Sequence, residues 1–291
     1  MLGAFCSPAS APLRPPPRAS EGDGVPRPAF RPIFRPSRRT VKALLKRLVP
    51  ARLRERLRLE ALRGDAVHCP VCGQGAMAFL PAGTPPRPHA RCAFCGSLER
   101  TRAIWRLLQQ RGLLKSGQRI LHIAPEGSLH TRLLAHAQAH GTDYVFGDKF
   151  EPGYDHPAGT VELDVTALEL PDAAFDLVLC VHVLEHVTAD RQALRELHRV
   201  LKPGGTALLV VPFDPARAQT FEDPTVTDSQ ERQRLFGQFD HVRIYGRDYP
   251  DRLREAGFTV EEMDPCAGVG PEKVFRLGLK RGEVLHVVGK G

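Results

Sequence analysis

A strand–helix–strand pattern between residues 175 and 212 most constrains the fold of this chain. It opens with an unbroken apolar run from Leu177 to Val183, which is too short for a typical helix and lacks the alternation of a half-exposed strand. A segment with Leu194 and Leu197 on one helical face follows, and a second apolar run spans Thr206 to Val211. Unbroken runs of this kind are typical of strands covered on both faces, so the pattern predicts a parallel sheet between layers of helices.

The end of the helix is predicted at Lys202-Pro203-Gly204-Gly205, with Leu201 as the last residue of its apolar face. The two segments FDLVLCVHVLEHV and ALRELHRVLKPGG resemble the central part of class I S-adenosylmethionine-dependent methyltransferases of the type 11 group. The resemblance implies an α/β fold, with a Rossmann-like, seven-stranded, mostly parallel sheet, flanking helices and an antiparallel last strand. It also implies an enzyme that moves a methyl group from S-adenosylmethionine to an unidentified acceptor.

Upstream, the run from Gln118 to Ala124 reads as the first strand of this sheet. An apolar stripe predicts the helix that follows, and it consists of Leu129, Leu133, Leu134 and Ala137. In the family, the turn between them is rich in glycine, which lets the backbone approach the methionine part of the cofactor. This chain has a single glycine there. The resemblance assigns the cofactor contact to four residues, and a plain strand–helix loop is the alternative. These residues are Ala124, Pro125, Glu126 and Gly127.

Acidic residues end the next two predicted strands. Asp148 follows a strand that starts at Asp143, and an acid at this position accepts hydrogen bonds from the ribose hydroxyls of a nucleotide. The resemblance assigns Asp164 to the adenine amino group, with Val165 among the neighbouring apolar contacts. The alternative for either aspartate is a helix or turn cap.

The segment HVLEH, from His182 to His186, matches the HxxEH pattern of a class of zinc peptidases. That chemistry needs both histidines on one helical face, whereas His182 follows a buried strand. Within the methyltransferase reading, His182 lines the cofactor pocket. Glu185 and His186 are expected to cap the next helix, and no residue is assigned as catalytic.

Four cysteines form two CxxCG segments separated by 19 residues: Cys69, Cys72, Cys92 and Cys95. This spacing predicts a zinc ribbon, and four thiolates leave no open position on the metal, so the zinc is expected to be structural. A disulfide framework would need an oxidising compartment, and no export signal is recognised. Similar methyltransferases commonly carry such a ribbon before the catalytic domain.

The positive charge is concentrated near the start of the chain. Residues 1–60 hold 14 Lys and Arg against 4 Asp and Glu, whereas the remainder is close to neutral. The predicted organisation is a disordered Pro/Arg-rich arm (1–37), a basic helical segment (38–64), the zinc ribbon (65–100) and the methyltransferase domain (101–291). Helices are expected around Pro50, with their leucines packed on the body; contact with RNA or an anionic surface is the alternative.

The acceptor stays open between a small molecule and RNA, because the ribbon and the basic arm favour RNA whereas the near-neutral body does not. A non-catalytic binding module with a degenerate cofactor site is the rival function, and the HxxEH peptidase is a remote one. No apolar run is long enough to span a membrane, and the cytoplasm is the expected location. The polar segment 220–249 reads equally well as a substrate lid or as surface salt bridges.

Overall fold

The structure is a computed structural model that describes residues 49–150 and 156–291, so the predicted arm at 1–37 lies outside the described residues. Its helices are α1 (Ala51–Ala61), α2 (Glu99–Gln110), α3 (Gly127–His140), α4 (Asp190–Val200), α5 (Ser229–Phe236), α6 (Tyr249–Glu255) and α7 (Pro271–Leu277). Its strands are β1 (Arg63–His68), β2 (Gly75–Ala76), β3 (Leu80–Ala82), β4 (Arg87–Arg91), β5 (Arg119–Ile123), β6 (Asp143–Asp148), β7 (Val161–Glu162), β8 (Phe175–Val181), β9 (Leu201–Val210), β10 (Phe221–Glu222), β11 (Arg243–Ile244), β12 (Thr259–Met263) and β13 (Leu285–Gly289).

Seven strands form one sheet in the order β12-β13-β9-β8-β5-β6-β7. The strands from β5 to β9 run parallel, and β13 pairs antiparallel with both β9 and β12. This confirms the predicted Rossmann-like, mostly parallel sheet with an antiparallel last strand. β6 and β7 lie on one side of β5, whereas β8 and β9 lie on its other side. The strand order therefore reverses between β5 and β8. Open sheets of this type bind ligands at that point, outside the carboxyl ends of the strands.

The alternation of side chains along β8 explains its unbroken apolar run. Leu177 and Leu179 pack into one buried cluster, which also contains residues of α2, α3 and α7. Val178 and Cys180 point to the opposite face and pack with residues of α4 and α6. A strand covered on both faces needs apolar residues at every position, as the sequence predicted.

Two of the predicted helix details are wrong. Helix α4 ends at Val200, and Leu201 begins β9, so the Lys-Pro-Gly-Gly segment lies inside the strand rather than closing the helix. Gly204 has a φ of 73°, and its N–H donates to the Lys290 carbonyl at 2.8 Å, which ties this end of β9 to the C-terminal strand. On α3, Leu134 was expected in the apolar stripe but is 36% exposed.

The cysteine-containing segment joins the core of the sheet. β1 pairs with β2 and β3 with β4, both antiparallel, and Val67 and Phe79 belong to the same buried cluster as Ile104 of α2. The fully buried Arg102 donates hydrogen bonds to the carbonyls of Ala90, Ser97 and Gly278. Residues 52–291 therefore form one compact unit in which the segment is not a separate body.

Helix α1 begins immediately after Pro50, where a helix start was predicted. No residue of α1 is buried, and the Leu53 and Leu57 side chains are 45% and 58% exposed. The expectation that its leucines pack on the body is wrong for this helix. Within residues 49–150 and 156–291, no helix has the length and apolar character needed to cross a bilayer.

Candidate active site

The carboxyl ends of four neighbouring parallel strands bring the predicted cofactor residues to one edge of the sheet. Ala124 follows β5, Asp148 ends β6, Asp164 follows β7 and His182 follows β8. The Ala124 N–H donates to the Gly147 carbonyl at 2.8 Å, so the two neighbouring strand ends are held together. Four positions that are spread over 58 residues of sequence thus lie along one edge of the sheet.

Two of the four non-glycine residues with a positive φ in the described part of the chain lie at the same strand ends. Ala124 and His182 have φ angles of 50° and 55°, a left-handed region that non-glycine residues rarely adopt. They directly follow β5 and β8, the two strands between which the sheet order reverses. Strained backbone of this kind persists where the surrounding structure over-determines it, and it clusters at functional sites.

The turn from Ala124 to Gly127 is held from α2. Glu126 is the N-cap residue of α3 but makes no capping bond through its side chain. Its carboxylate accepts a hydrogen bond from Thr101 and lies 3.4 Å from the Arg100 Nε. No heavy atom lies within 4 Å of the position that a Cβ would take on Gly127, so there is open space beside the start of α3.

Asp148 is a partly buried carboxylate at the end of β6. Burial raises its pKa above the ordinary value, and the opposing contributions come from the Lys149 N–H, which donates to Oδ1 at 2.8 Å, and from His156. The His156 Nδ1 lies 3.3 Å from the second oxygen, Oδ2. The carboxylate is an acceptor at this edge of the sheet, and the His156 imidazole is its side-chain partner.

Asp164 and Val165 differ in exposure. Asp164 is exposed, and its Oδ1 accepts hydrogen bonds from the Thr166 N–H at 2.8 Å and the Thr166 hydroxyl at 2.6 Å, which lower its pKa. This is the turn-capping arrangement that the sequence left open. Both Thr166 bonds end on Oδ1, and neither uses Oδ2. Val165 is buried and packs in the core cluster of α4.

The segment after β8 contradicts the expectation for Glu185 and His186. Residues 182–189 are not helical, and α4 begins at Asp190 with Ala189 at its N-cap, so neither side chain caps that helix. The two histidines of HVLEH do not lie on one helical face, and the HxxEH peptidase reading is therefore wrong. Glu185 is fully buried instead, with its Oε1 3.0 Å from the His182 Nδ1.

This segment is fixed by an arginine from the distant polar insertion. The buried Arg243 guanidinium donates to the carbonyls of Leu184, Val187 and Thr188, and its Nε lies 2.8 Å from Glu222. The Val242 N–H donates to the Glu185 carbonyl at 2.9 Å. Surface salt bridging therefore does not describe Arg243, which is buried, and the substrate lid stays a prediction.

A second ionic contact ties the insertion to α4. Arg252 lies 2.9 Å from both Asp190 and Glu222, and the Tyr245 hydroxyl donates to Asp190 at 3.0 Å. Asp190, Tyr245 and Arg252 are buried, whereas Glu222 is exposed. Sequence reasoning missed these supporting residues, although the density of charged and polar residues between 220 and 249 signalled that this segment has a specific role.

The four predicted zinc ligands lie together at a second place. The four Sγ atoms all lie within 4.8 Å of one another. The distance is 3.7 Å between the Sγ atoms of Cys69 and Cys95 and 3.8 Å between those of Cys72 and Cys92. Four sulfurs at about 2.3 Å from a tetrahedral zinc stand roughly 3.8 Å apart, whereas a disulfide requires about 2.05 Å. The geometry therefore fits a four-thiolate metal site, and both distances are too long for a Cys69–Cys95 or a Cys72–Cys92 disulfide.

Both cysteine turns are shaped by glycine. Gly73 and Gly96 have φ angles of 73° and 76°, and their N–H groups donate to the carbonyls of Cys69 and Cys92. A left-handed residue at the end of each turn brings both sulfurs of a pair to the same side. The Ser97 hydroxyl lies 3.2 Å from the sulfurs of Cys69 and Cys95 and supplies a polar contact to two of the four ligands.

A family model described as "Methyltransferase domain" matches residues 122–209. The match begins in β5 and ends in β9, so it covers the strands whose carboxyl ends carry the candidate site. Both His182 and Glu185 lie inside this methyltransferase-domain segment. The four-cysteine site and the insertion that holds the segment after β8 lie outside it.

Curated relatives match over limited lengths. The ubiquinone/menaquinone biosynthesis C-methyltransferase UbiE of Hahella chejuensis is 42% identical over 71 residues, which is 24% of this chain and 25% of that protein. A probable S-adenosylmethionine-dependent methyltransferase of Mycolicibacterium smegmatis is 30% identical over 99 residues, 34% of each chain. This chain spans between 21% and 49% of the length of the eight curated relatives compared.

Among solved structures, an S-adenosylmethionine-dependent methyltransferase from Mesorhizobium loti is 20% identical to this chain. It superposes with a TM-score of 0.43 over 64% of this chain and 97% of its own.

Proposed function

We propose that this protein is an S-adenosylmethionine-dependent methyltransferase. The observation that carries the proposal is the position of the methyltransferase-domain match, from β5 to β9, over the crevice where the predicted cofactor residues meet. The bound cofactor would supply an electrophilic sulfonium methyl group. The contribution of the protein is to hold that group in line with the acceptor and to exclude alternative orientations.

Each side chain at the crevice has a distinct task in this proposal. Asp148 accepts hydrogen bonds from the ribose hydroxyls, for which its rim position and its replaceable His156 partner are suited. Asp164 offers Oδ2 to the adenine amino group, and Val165 forms an apolar wall. The open space beside Gly127 receives the methionine end of the cofactor, next to the strained Ala124.

We also propose that the four cysteines hold a structural zinc ion. The sulfur spacing, the burial of Cys69 and Cys92 and the two left-handed glycines support it. Four thiolates complete a tetrahedral site and leave no position for a water molecule, so the ion contributes to folding rather than to chemistry. Thiols that bind zinc must stay reduced, which favours a reducing compartment such as the cytoplasm.

The acceptor is proposed only by class, as a small molecule or an RNA. The four-cysteine ribbon and the basic start of the chain favour RNA, whereas the near-neutral remainder favours a small molecule. A methyl-acceptor screen that offers both classes to the zinc-loaded protein distinguishes them.

Isothermal titration with S-adenosylmethionine tests the proposed function. Asp148→Ala is expected to weaken binding by roughly tenfold to a few hundredfold, since a hydrogen bond to a charged group is worth about 1.5–3 kcal/mol. Asp143→Ala is the matched control, because Asp143 lies at the amino end of the same strand, far from the proposed site, and forms an ion pair with Arg119. Its affinity should equal that of the unmodified protein.

If the unmodified protein does not bind S-adenosylmethionine at millimolar concentration, the proposal fails and a non-catalytic binding module takes its place. The single glycine of the turn after β5 is the feature that would account for that result. If binding is tight but Asp148→Ala has no effect, the methyltransferase proposal stands and the role of Asp148 is wrong.

A further inference from the structure

A cluster of potential metal ligands lies beside the crevice and away from the four cysteines. Glu185 and His186 come from the segment after β8, and His241 comes from the polar insertion before β11. One ligand atom from each of the three side chains lies within 4.8 Å of the others. A carboxylate and two imidazoles are a common ligand set for zinc and for non-haem iron.

The carboxylate of Glu185 needs a positive partner. Glu185 is 0% exposed, and neither oxygen accepts a hydrogen bond from any residue in the described part of the chain. The His182 Nδ1 lies 3.0 Å from Oε1, which is an ion-pair distance, but the contact does not have hydrogen-bond geometry. A buried carboxylate without hydrogen bonds is strongly unfavourable, and a bound cation would supply the stabilisation that hydrogen bonds from the described residues do not.

Both histidines of the cluster are oriented as metal ligands are. The His186 Nδ1 lies 3.1 Å from the Asp240 carboxylate, and the His241 Nδ1 lies 3.1 Å from the Phe236 carbonyl. With Nδ1 engaged by an acceptor, the ring nitrogen available for coordination is Nε2. Histidines that bind metals almost always donate their other N–H to a carboxylate or a carbonyl in this way.

The backbone that carries these side chains is fixed independently of any ion. The Val242 N–H, next to His241, donates to the Glu185 carbonyl, and the Arg243 guanidinium binds the carbonyls on either side of the Glu185-His186 pair. Two segments that are 55 residues apart in sequence therefore present their ligands to one another in a preformed arrangement.

We propose that Glu185, His186 and His241 bind one divalent transition-metal ion. Nitrogen ligands favour ions such as Zn²⁺, Fe²⁺ or Co²⁺ over Mg²⁺ and Ca²⁺, which take oxygen ligands. Three protein ligands leave at least one coordination position open, in contrast to the four-cysteine site.

The cluster lies beside the edge where methyl transfer is proposed, since His182 is both the residue after β8 and the neighbour of Glu185. A hydroxyl or carboxylate oxygen of the methyl acceptor fits the open coordination position as a ligand. This assignment of the acceptor class rests on the proposed function, whereas the metal site itself does not.

Titration of Co²⁺ into the zinc-loaded protein, followed by visible absorption, tests the site. One additional equivalent per chain is expected, with d–d bands and without the sulfur-to-cobalt charge transfer that cobalt in the cysteine site would give. His241→Ala and His186→Ala should each weaken this binding by more than about tenfold, and Asp240→Ala by roughly 10- to 100-fold through loss of His186 orientation. Glu185→Gln, which is nearly isosteric, should abolish the additional equivalent while circular dichroism confirms the fold.

The matched control is His140→Ala, which removes an exposed histidine of α3 outside the cluster and should bind Co²⁺ like the unmodified protein. The proposal is overturned if the unmodified protein binds no additional cobalt, if the only new bands are those of cobalt–thiolate charge transfer, or if His186→Ala and His241→Ala bind as tightly as the control. Titration with S-adenosylmethionine is a separate measurement, so loss of cofactor binding would contradict the proposed function and leave the metal site standing.

Discussion

At the residue scale, buried histidines have different roles that the sequence does not distinguish. His241 is buried with Nδ1 bonded to a carbonyl, whereas His286 on β13 is buried with neither ring nitrogen bonded among the described residues. His286 packs edge to face against Phe213 and Tyr249, at ring centroid distances of 5.3 and 4.8 Å. Burial lowers the pKa of His286 to about 4, so it is a neutral core residue at physiological pH.

This burial predicts a pH-dependent stability. As the pH falls below the ordinary histidine value of about 6.5, the unfolded chain takes up a proton that folded His286 binds only near pH 4. The free energy of unfolding should therefore fall by about 1.4 kcal/mol per pH unit across that interval. His286→Phe should remove this part of the slope, and its stability at pH 8 should be at least that of the unmodified protein.

Urea unfolding at pH 7.5, 6 and 5 measures both proteins, with His140→Ala as the control that keeps the full slope. An unchanged slope in His286→Phe would contradict the assignment.

At the element scale, helix ends and turns connect the four-cysteine segment to the rest of the unit. Gly278 is the C-cap residue of helix α7; its φ is 59°, and its carbonyl accepts two hydrogen bonds from Arg102. A Cβ on Gly278 would stand 2.4 Å from the Phe79 ring and 2.7 Å from the Arg102 guanidinium. This glycine is required both by its backbone conformation and by close packing.

Gly278→Ala is expected to lower the free energy of unfolding by roughly 2–4 kcal/mol, because a left-handed alanine costs about 1–2 kcal/mol and overpacking adds a similar amount. Gly268→Ala is the matched control, since its φ is 68° but no atom lies within 4 Å of the added carbon. Gly268→Ala should lower the free energy of unfolding only by the cost of the left-handed backbone, about 1–2 kcal/mol. Denaturant titration of both variants checks the difference, and equal losses would show that packing at Gly278 is not tight.

At the scale of the whole molecule, the ribbon and the sheet share one apolar core. Val67, Val71 and Phe79 pack in the same cluster as Leu108 of α2 and Leu179 of β8. Loss of the proposed zinc should therefore reach the sheet, and the protein should unfold in one transition rather than ribbon first.

Cys92→Ser is expected to lower the midpoint of thermal unfolding by about 10 °C or more, with one equivalent of zinc lost. Far-UV circular dichroism reports the whole unit, and the fluorescence of Trp105, the single tryptophan, reports α2 beside the ribbon. The two midpoints should coincide. The control is Cys266→Ser, which changes a buried cysteine outside the four-cysteine site and should leave the bound zinc in place. Separate midpoints would indicate that the ribbon folds on its own.

Local sequence determined much of this architecture because the signals lie in short segments. The apolar runs of β8 and β9 predicted a doubly covered sheet, since every position of such a strand is buried. The two CxxCG turns predicted the cysteine cluster, because two thiols on one tight turn already share a side. The strand-end positions of Asp148 and Asp164 followed from the same reasoning, although their roles at the cofactor remain predictions.

Only the tertiary structure decided what lies around those positions. Glu185 and His186 look like helix caps in sequence, yet the Arg243 bonds hold their segment out of a helix and bury the carboxylate. His241 reaches them from 55 residues away. No periodicity or local spacing encodes such a meeting, because it depends on how two loops fold over the same sheet edge. The sequence therefore determined the scaffold and the ends of its strands, and long-range packing determined which side chains face one another there.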